Sequence, residues 1–232
     1  MPAVAFVPHP PALVPELCGG PVAELADVRA ACTAAVDRLL ATAPEVVWII
    51  GTGPTEHWYG AGDIGSLAPF GRLVTVQLSG PRGPDAAPLP LSLTVGAWLL
   101  DQAGYAGERL ALSVPADAGD EELRDLAEDI RSRGGLLVSG DGSAMRDADA
   151  PGTYHPAAGP FDDTVAAALS AGDPSALAAL DRRLGAEVQA PGVAAWRLAG
   201  HCLRDVRVSA DLLYYAAPLG VGYAVATWLP LP

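Results

Sequence analysis

Five consecutive apolar residues, Val46-Val47-Trp48-Ile49-Ile50, lie between Pro44 and the glycines at 51 and 53. The run is too short for a helix, and it leaves neither face of a strand to water. It therefore predicts a central strand covered on both sides, as in the parallel sheet of an α/β protein. Further strands are read at Val4-Ala5-Phe6-Val7 and at residues 73–78, 110–114 and 136–139, all rich in apolar residues. Helical periods fall between them. Val22, Leu25, Val28, Ala31, Ala35 and Leu39 share one face, residues 91–102 form an apolar helix, and Leu123, Leu126, Ala127 and Ile130 follow Asp120 as N-cap. Phe161, Val165, Ala168 and Leu169 mark a further helix. Asp173-Pro174 opens one that continues through Leu177, Leu180 and Leu184. Trp196, Ala199 and Leu203 mark the last, before strand material at residues 212–229, which Pro218-Leu219-Gly220-Val221-Gly222 interrupts. Residues 51–71 read as loop, because closely spaced Gly and Pro break any regular element. The alternation predicts one α/β domain over residues 1–232, its central sheet mostly parallel or mixed and flanked by helices.

With 232 residues, half of them apolar, the chain can bury one sizeable core. The formal net charge is −13 and the 14 basic residues are dispersed, which argues against nucleic acid and anionic membrane surfaces as partners. Every basic residue is Arg, and Asn is absent, so there is no Schiff-base or P-loop lysine, no Cys-His-Asn triad and no N-glycosylation acceptor. Cys18, Cys32 and Cys202 fit no zinc or disulfide framework, which points to a reducing cytoplasm. Neither a signal peptide nor a transmembrane run is expected. The Ala/Gly/Pro/Arg-rich composition suggests a bacterial source.

Four histidines are candidates for chemistry. His9 and His57 each lie in a Pro/Gly loop past an apolar strand, where α/β folds place ligands. Two such histidines and a carboxylate would suit non-haem Fe(II); polar surface is the plainer alternative. Glu56 is either a ligand or an orienter of His57, or a solvated loop acid. His155 reads as a surface side chain in a polar turn, and His201 as a helix-surface or partly buried one. Asp141 and Ser143, in Ser139-Gly140-Asp141-Gly142-Ser143, are expected to cap the element after that turn. Gly220-Val221-Gly222-Tyr223 allows close backbone approach and is not a nucleotide fingerprint.

Four colinear segments resemble the class III extradiol ring-cleavage dioxygenases of the subunit-B (LigB-like) type and the related Memo-like proteins. They are residues 5–16, the strand at 46–50 with its Gly-Pro loop, residues 139–162 (with Asp149-Ala150-Pro151 and Phe161-Asp162), and residues 215–223. The resemblance covers nearly the whole chain. It implies a single α/β domain. In active members two histidines and a glutamate hold Fe(II), and a third histidine acts as base on a catechol-type substrate. Matched residue by residue, His9 keeps the first ligand position. Thr52 stands at the second, Ala144 at the base and Ala216 at the glutamate.

Three of these four positions are thus lost. The resemblance then implies a diverged domain with no cofactor or with weakly held Fe(II). Such a domain would bind a small molecule or a partner protein, or serve in a homo- or hetero-oligomer, without ring cleavage. The alternative is an iron-dependent dioxygenase acting on a catechol-like aromatic with a rearranged site. There His57, with Glu56 or Asp63, would join His9, and His155 or Tyr215 would stand in near Ala144 and Ala216. The loops after Val7, Ile50 and Ser139 are expected on one edge of the sheet, with Thr52, Ala144 and Ala216 near His9.

Overall fold

The structure is a computed structural model and describes residues 2–130 and 134–231. Along the chain run β1 (Val4–Val7), α1 (Ala26–Leu40), β2 (Val46–Gly53), β3 (His57–Tyr59), β4 (Ile64–Ser66), β5 (Thr75–Gln77) and β6 (Pro88–Leu89). Then come α2 (Leu91–Gln102), β7 (Glu108–Pro115), α3 (Asp120–Ile130), β8 (Gly135–Ser139), α4 (Ala158–Ala171), α5 (Pro174–Ala178) and α6 (Arg182–Glu187). The chain ends with α7 (Val193–Cys202), β9 (Val208–Ala216) and β10 (Tyr223–Pro230).

The main sheet has the order β3-β7-β2-β8-β1-β10-β9. The strands β7, β2, β8 and β1 are parallel, while β3 pairs antiparallel with β7 at one side and β10 pairs antiparallel with both β1 and β9 at the other. The sheet is therefore mixed, and helices cover both faces of this single α/β domain. Successive strand residues point to opposite faces, so each apolar run feeds two cores. Val4, Phe6, Trp48, Ile50, Leu136 and Val138 join the core under α3, α4, α5 and α7. Ala5, Val7, Val47, Ile49 and Leu137 join the core under α1 and α2. No helix among the described residues is long and apolar enough to cross a membrane.

Three local expectations change. Residues 51–71 are not all loop: β2 runs on to Gly53, β3 and β4 follow, and β4 lies between β5 and β6 in a small second sheet. The glycines permit this because side chains there would collide; a Cβ on Gly65 would lie 2.5 Å from Thr94 Oγ1. The helix opened by Asp173 ends at Ala178, because Asp181 accepts the amides of Arg183 and Leu184 and caps a new one. Asp120 is the first residue of α3, and the Glu122 carboxylate accepts the Gly119 amide in front of it.

Candidate functional site

The parallel strands β1, β2 and β8 all end on the same edge, as the Pro/Gly loops after them suggest. Here Gly140 donates to the Val7 carbonyl and carries β8 into an irregular turn. Two distant segments and the nearby Gly152 fix that turn. Gly192 donates to the Asp141 carbonyl, Ala144 to Gln189 and Gly152 to Ala144. Gly142 donates to the Gly222 carbonyl, and Gly222 returns a bond to Ser143. The Ser143 hydroxyl donates to the Val188 carbonyl and accepts the Met145 amide. Below the turn, buried Asp162 accepts the Ser143 amide at 2.8 Å and Arg146 at 3.0 Å. Arg146 also reaches Tyr215, whose hydroxyl donates to Asp163. The Gly-Val-Gly run is needed for this packing: a Cβ on Gly222 would sit 2.0 Å from Asp162 Oδ2.

Asp141 is presented by this cage. It caps no helix, contrary to expectation. Its Oδ1 accepts the His9 amide at 2.6 Å and lies 3.6 Å from His9 Nδ1, a buried nitrogen with no hydrogen-bond partner of its own. Burial holds the Asp141 carboxyl above the ordinary carboxylate range, partly offset by His9. The neighbouring Tyr223 is shifted the same way: burial, then the Asp141 charge, keep its hydroxyl neutral far above neutral pH.

Asp141, Tyr223 and Gln189 are the polar residues of a cleft of about 550 Å³. Its other walls are Pro10, Pro11, Ala144, Pro191 and Val221, with small residues between them. Gln189 holds a left-handed backbone at φ 53°, as do Thr153 and Leu219 nearby in the chain from Pro151 and Val221. Left-handed non-glycine residues cost conformational energy, and they persist only where surrounding contacts determine them. An apolar cleft of this size with a few convergent polar groups is the ordinary form of a small-molecule site.

The structure brings some predicted residues together and separates others. Ala144 lines the cleft, beside the His9–Asp141 pair. Thr52 reaches its rim, where its hydroxyl donates to the Pro191 carbonyl at 2.5 Å. Ala216 is exposed and lies opposite Tyr223 in the β9–β10 ladder. His57 is elsewhere. The register runs His57–Ser113–Gly51–Ser139–Val7, four strand spacings from β3 to β1, or about 19 Å at the usual spacing. His57 is exposed on the edge strand, its ring 4.5 Å from that of Tyr59. Glu56 lines a separate groove against α3. Asp63 spends its two oxygens on the amides of Gly60 and Ala87. His155 accepts the Ala157 amide and lies 3.2 Å from Glu187, so it ties down the start of α4. His201 lies on α7, 3.8 Å from Asp120, and burial lowers its pKa.

The residues at the positions implied for Fe(II) do not fit that ion. His9 has one neighbouring carboxylate, Thr52 is committed to a carbonyl, and Ala144 and Ala216 have no donor. Among the described residues no three His, Cys, Asp or Glu side chains form a group able to hold a metal. The rearranged site built on His57 with Glu56 or Asp63 is thus corrected by strand order. Sequence reasoning gave no role to Arg146, Asp162, Gln189, Pro191 or Tyr223. The one available signal was the recurrence of Phe161-Asp162 and Gly222-Tyr223 within the resembling segments.

Neither a protein-family model nor a curated protein matches the chain. Among solved structures it is similar to the crystal structure of uncharacterized protein JW3007 from Escherichia coli K12. The TM-score is 0.57 at 12% identity, over 99% of this chain and 100% of that one. A likeness at that identity speaks for the fold alone.

Proposed function

We propose that this protein is a diverged LigB-like domain that binds a small, largely apolar molecule in the Asp141 cleft without cleaving an aromatic ring. The observation that carries the reading is the pairing of an intact, heavily hydrogen-bonded cleft with the loss of metal donors around it. Extradiol chemistry needs a metal fixed by several protein ligands with open positions left for substrate and oxygen. It also needs a base within hydrogen-bond reach of a phenolic proton. Ala144 offers none. Asp141 and the neutral hydroxyl of Tyr223 supply hydrogen bonding instead, suited to a phenol or alcohol. The unbridged Cys18, Cys32 and Cys202 support a reducing, cytoplasmic setting.

The test is titration of 4-methylphenol into the protein, followed by NMR. Saturable shifts are expected at residues of the cleft, with loss of binding in Ala144→Trp and a roughly tenfold loss in Asp141→Asn. Oxygen consumption on 4-methylcatechol should stay at the background rate. Binding unchanged by both substitutions would reject the cleft as the site.

A further inference from the structure

A second cavity, of about 300 Å³, lies between α1 and α2 and shares no lining residue with the Asp141 cleft. The helical period places Arg29, Thr33 and Val36 on one face of α1. Trp98, Leu99 and Gln102 face them from α2, and Pro15 and Glu16 close the end from the 3-10 turn at Pro15–Cys18. Two charges of opposite sign therefore share one small space.

They do not meet. Arg29 Nε donates to the Leu13 carbonyl at 3.2 Å, while its buried terminal nitrogen NH2 has no acceptor. Among the described residues neither Arg29 nor Glu16 has an ion-pair partner. NH2 is closed off from the cavity, so the guanidinium can offer a ligand only its other terminal nitrogen, for which a carboxylate oxygen is the suited partner. Glu16 on the same cavity opposes a simple anion and favours a cation. Trp98, Leu99 and Val36 form a buried apolar wall, and the exposed Thr33 and Gln102 stand at the mouth.

We propose that this crevice binds a compact zwitterion of the α-amino-acid class. Its carboxylate meets Arg29, its ammonium meets Glu16, and an apolar side chain lies against Trp98, Leu99 and Val36. The proposal stands apart from the reading of the Asp141 cleft, since the two sites share no residue.

Calorimetric titration with L-leucine tests it, alongside 4-methylpentanoate, which lacks the ammonium, and 3-methylbutylamine, which lacks the carboxylate. Leucine should bind saturably, and each analogue roughly tenfold or more weakly. Arg29→Ala should abolish leucine binding. Glu16→Gln, at an exposed position without a structural bond, should retain carboxylate binding and erase the preference for leucine over 4-methylpentanoate. No saturable leucine binding at millimolar concentration would overturn the proposal. So would equal affinity for leucine and 4-methylpentanoate in the unmodified protein, or leucine binding indifferent to Glu16→Gln.

Discussion

His9 and His57 have the same setting in the sequence, each a few residues past an apolar strand, and opposite surroundings in the molecule. His9 follows β1, which lies between β8 and β10. The turn at residues 139–146 holds it through the bond from the His9 amide to Asp141, and the segments at 188–192 and 220–223 are bonded in turn to that turn. His57 begins β3, at the edge of the sheet, where among the described residues β7 is its one strand neighbour and its side chain is exposed. The strand-end position is necessary for a site in this fold but does not make one. Burial by the loops of adjacent strands does, and that depends on strand order.

Four substitutions would break or sharpen the contrast. Asp162→Ala removes the carboxylate that accepts Ser143 and Arg146 beneath the closed turn. It should cost about 3 kcal/mol in urea unfolding, since it leaves a half-buried guanidinium unpaired. Gly222→Ala forces a methyl against the same carboxylate and should cost about 2 kcal/mol by the same measurement. A neutral result for either would mean that the turn is not held as described.

Asp141→Asn has a pH signature. Burial raises the folded-state pKa, so the folded protein binds this proton more tightly than the unfolded chain does. The stabilising contribution is complete below the unfolded value of about 3.9 and is lost as pH rises through the folded one. The variant should therefore be more stable than the parent at pH 7, with the difference shrinking toward pH 4 in urea midpoints. A difference that grows toward pH 4 would reverse the assignment. His57→Ala should change stability least, within about 0.5 kcal/mol, as expected for an exposed side chain. A loss comparable to that of Asp162→Ala would erase the distinction between the two regions.

The fold was largely legible because its parallel strands are buried on both faces and read as unbroken apolar runs. Residues 46–50 and 136–138 are of this kind. The segment at 51–71 was not, since its glycines mark close packing of short strands as well as turns. The break between α5 and α6 was hidden because Leu177, Leu180 and Leu184 keep helical spacing across it. Of the site, the turn at Asp141 was visible, with Ala144 at its end. The contributions of Gln189 and Pro191 were not, because Gln189 bonds Ala144 across a long stretch of chain and Pro191 meets Thr52 from 139 residues away. His57 was misplaced because adjacency in sequence carries no information about sheet order.

The central claim is that the Asp141 cleft recognises its ligand through protein groups and not through a metal. The direct measurement is the Kd of 4-methylphenol on chelator-treated protein and on the same protein supplied with Fe(II), each compared with Ala144→Trp. The account predicts the same Kd in both preparations and no binding to the variant. Binding that appears only with Fe(II), accompanied by oxygen uptake on 4-methylcatechol, would contradict it.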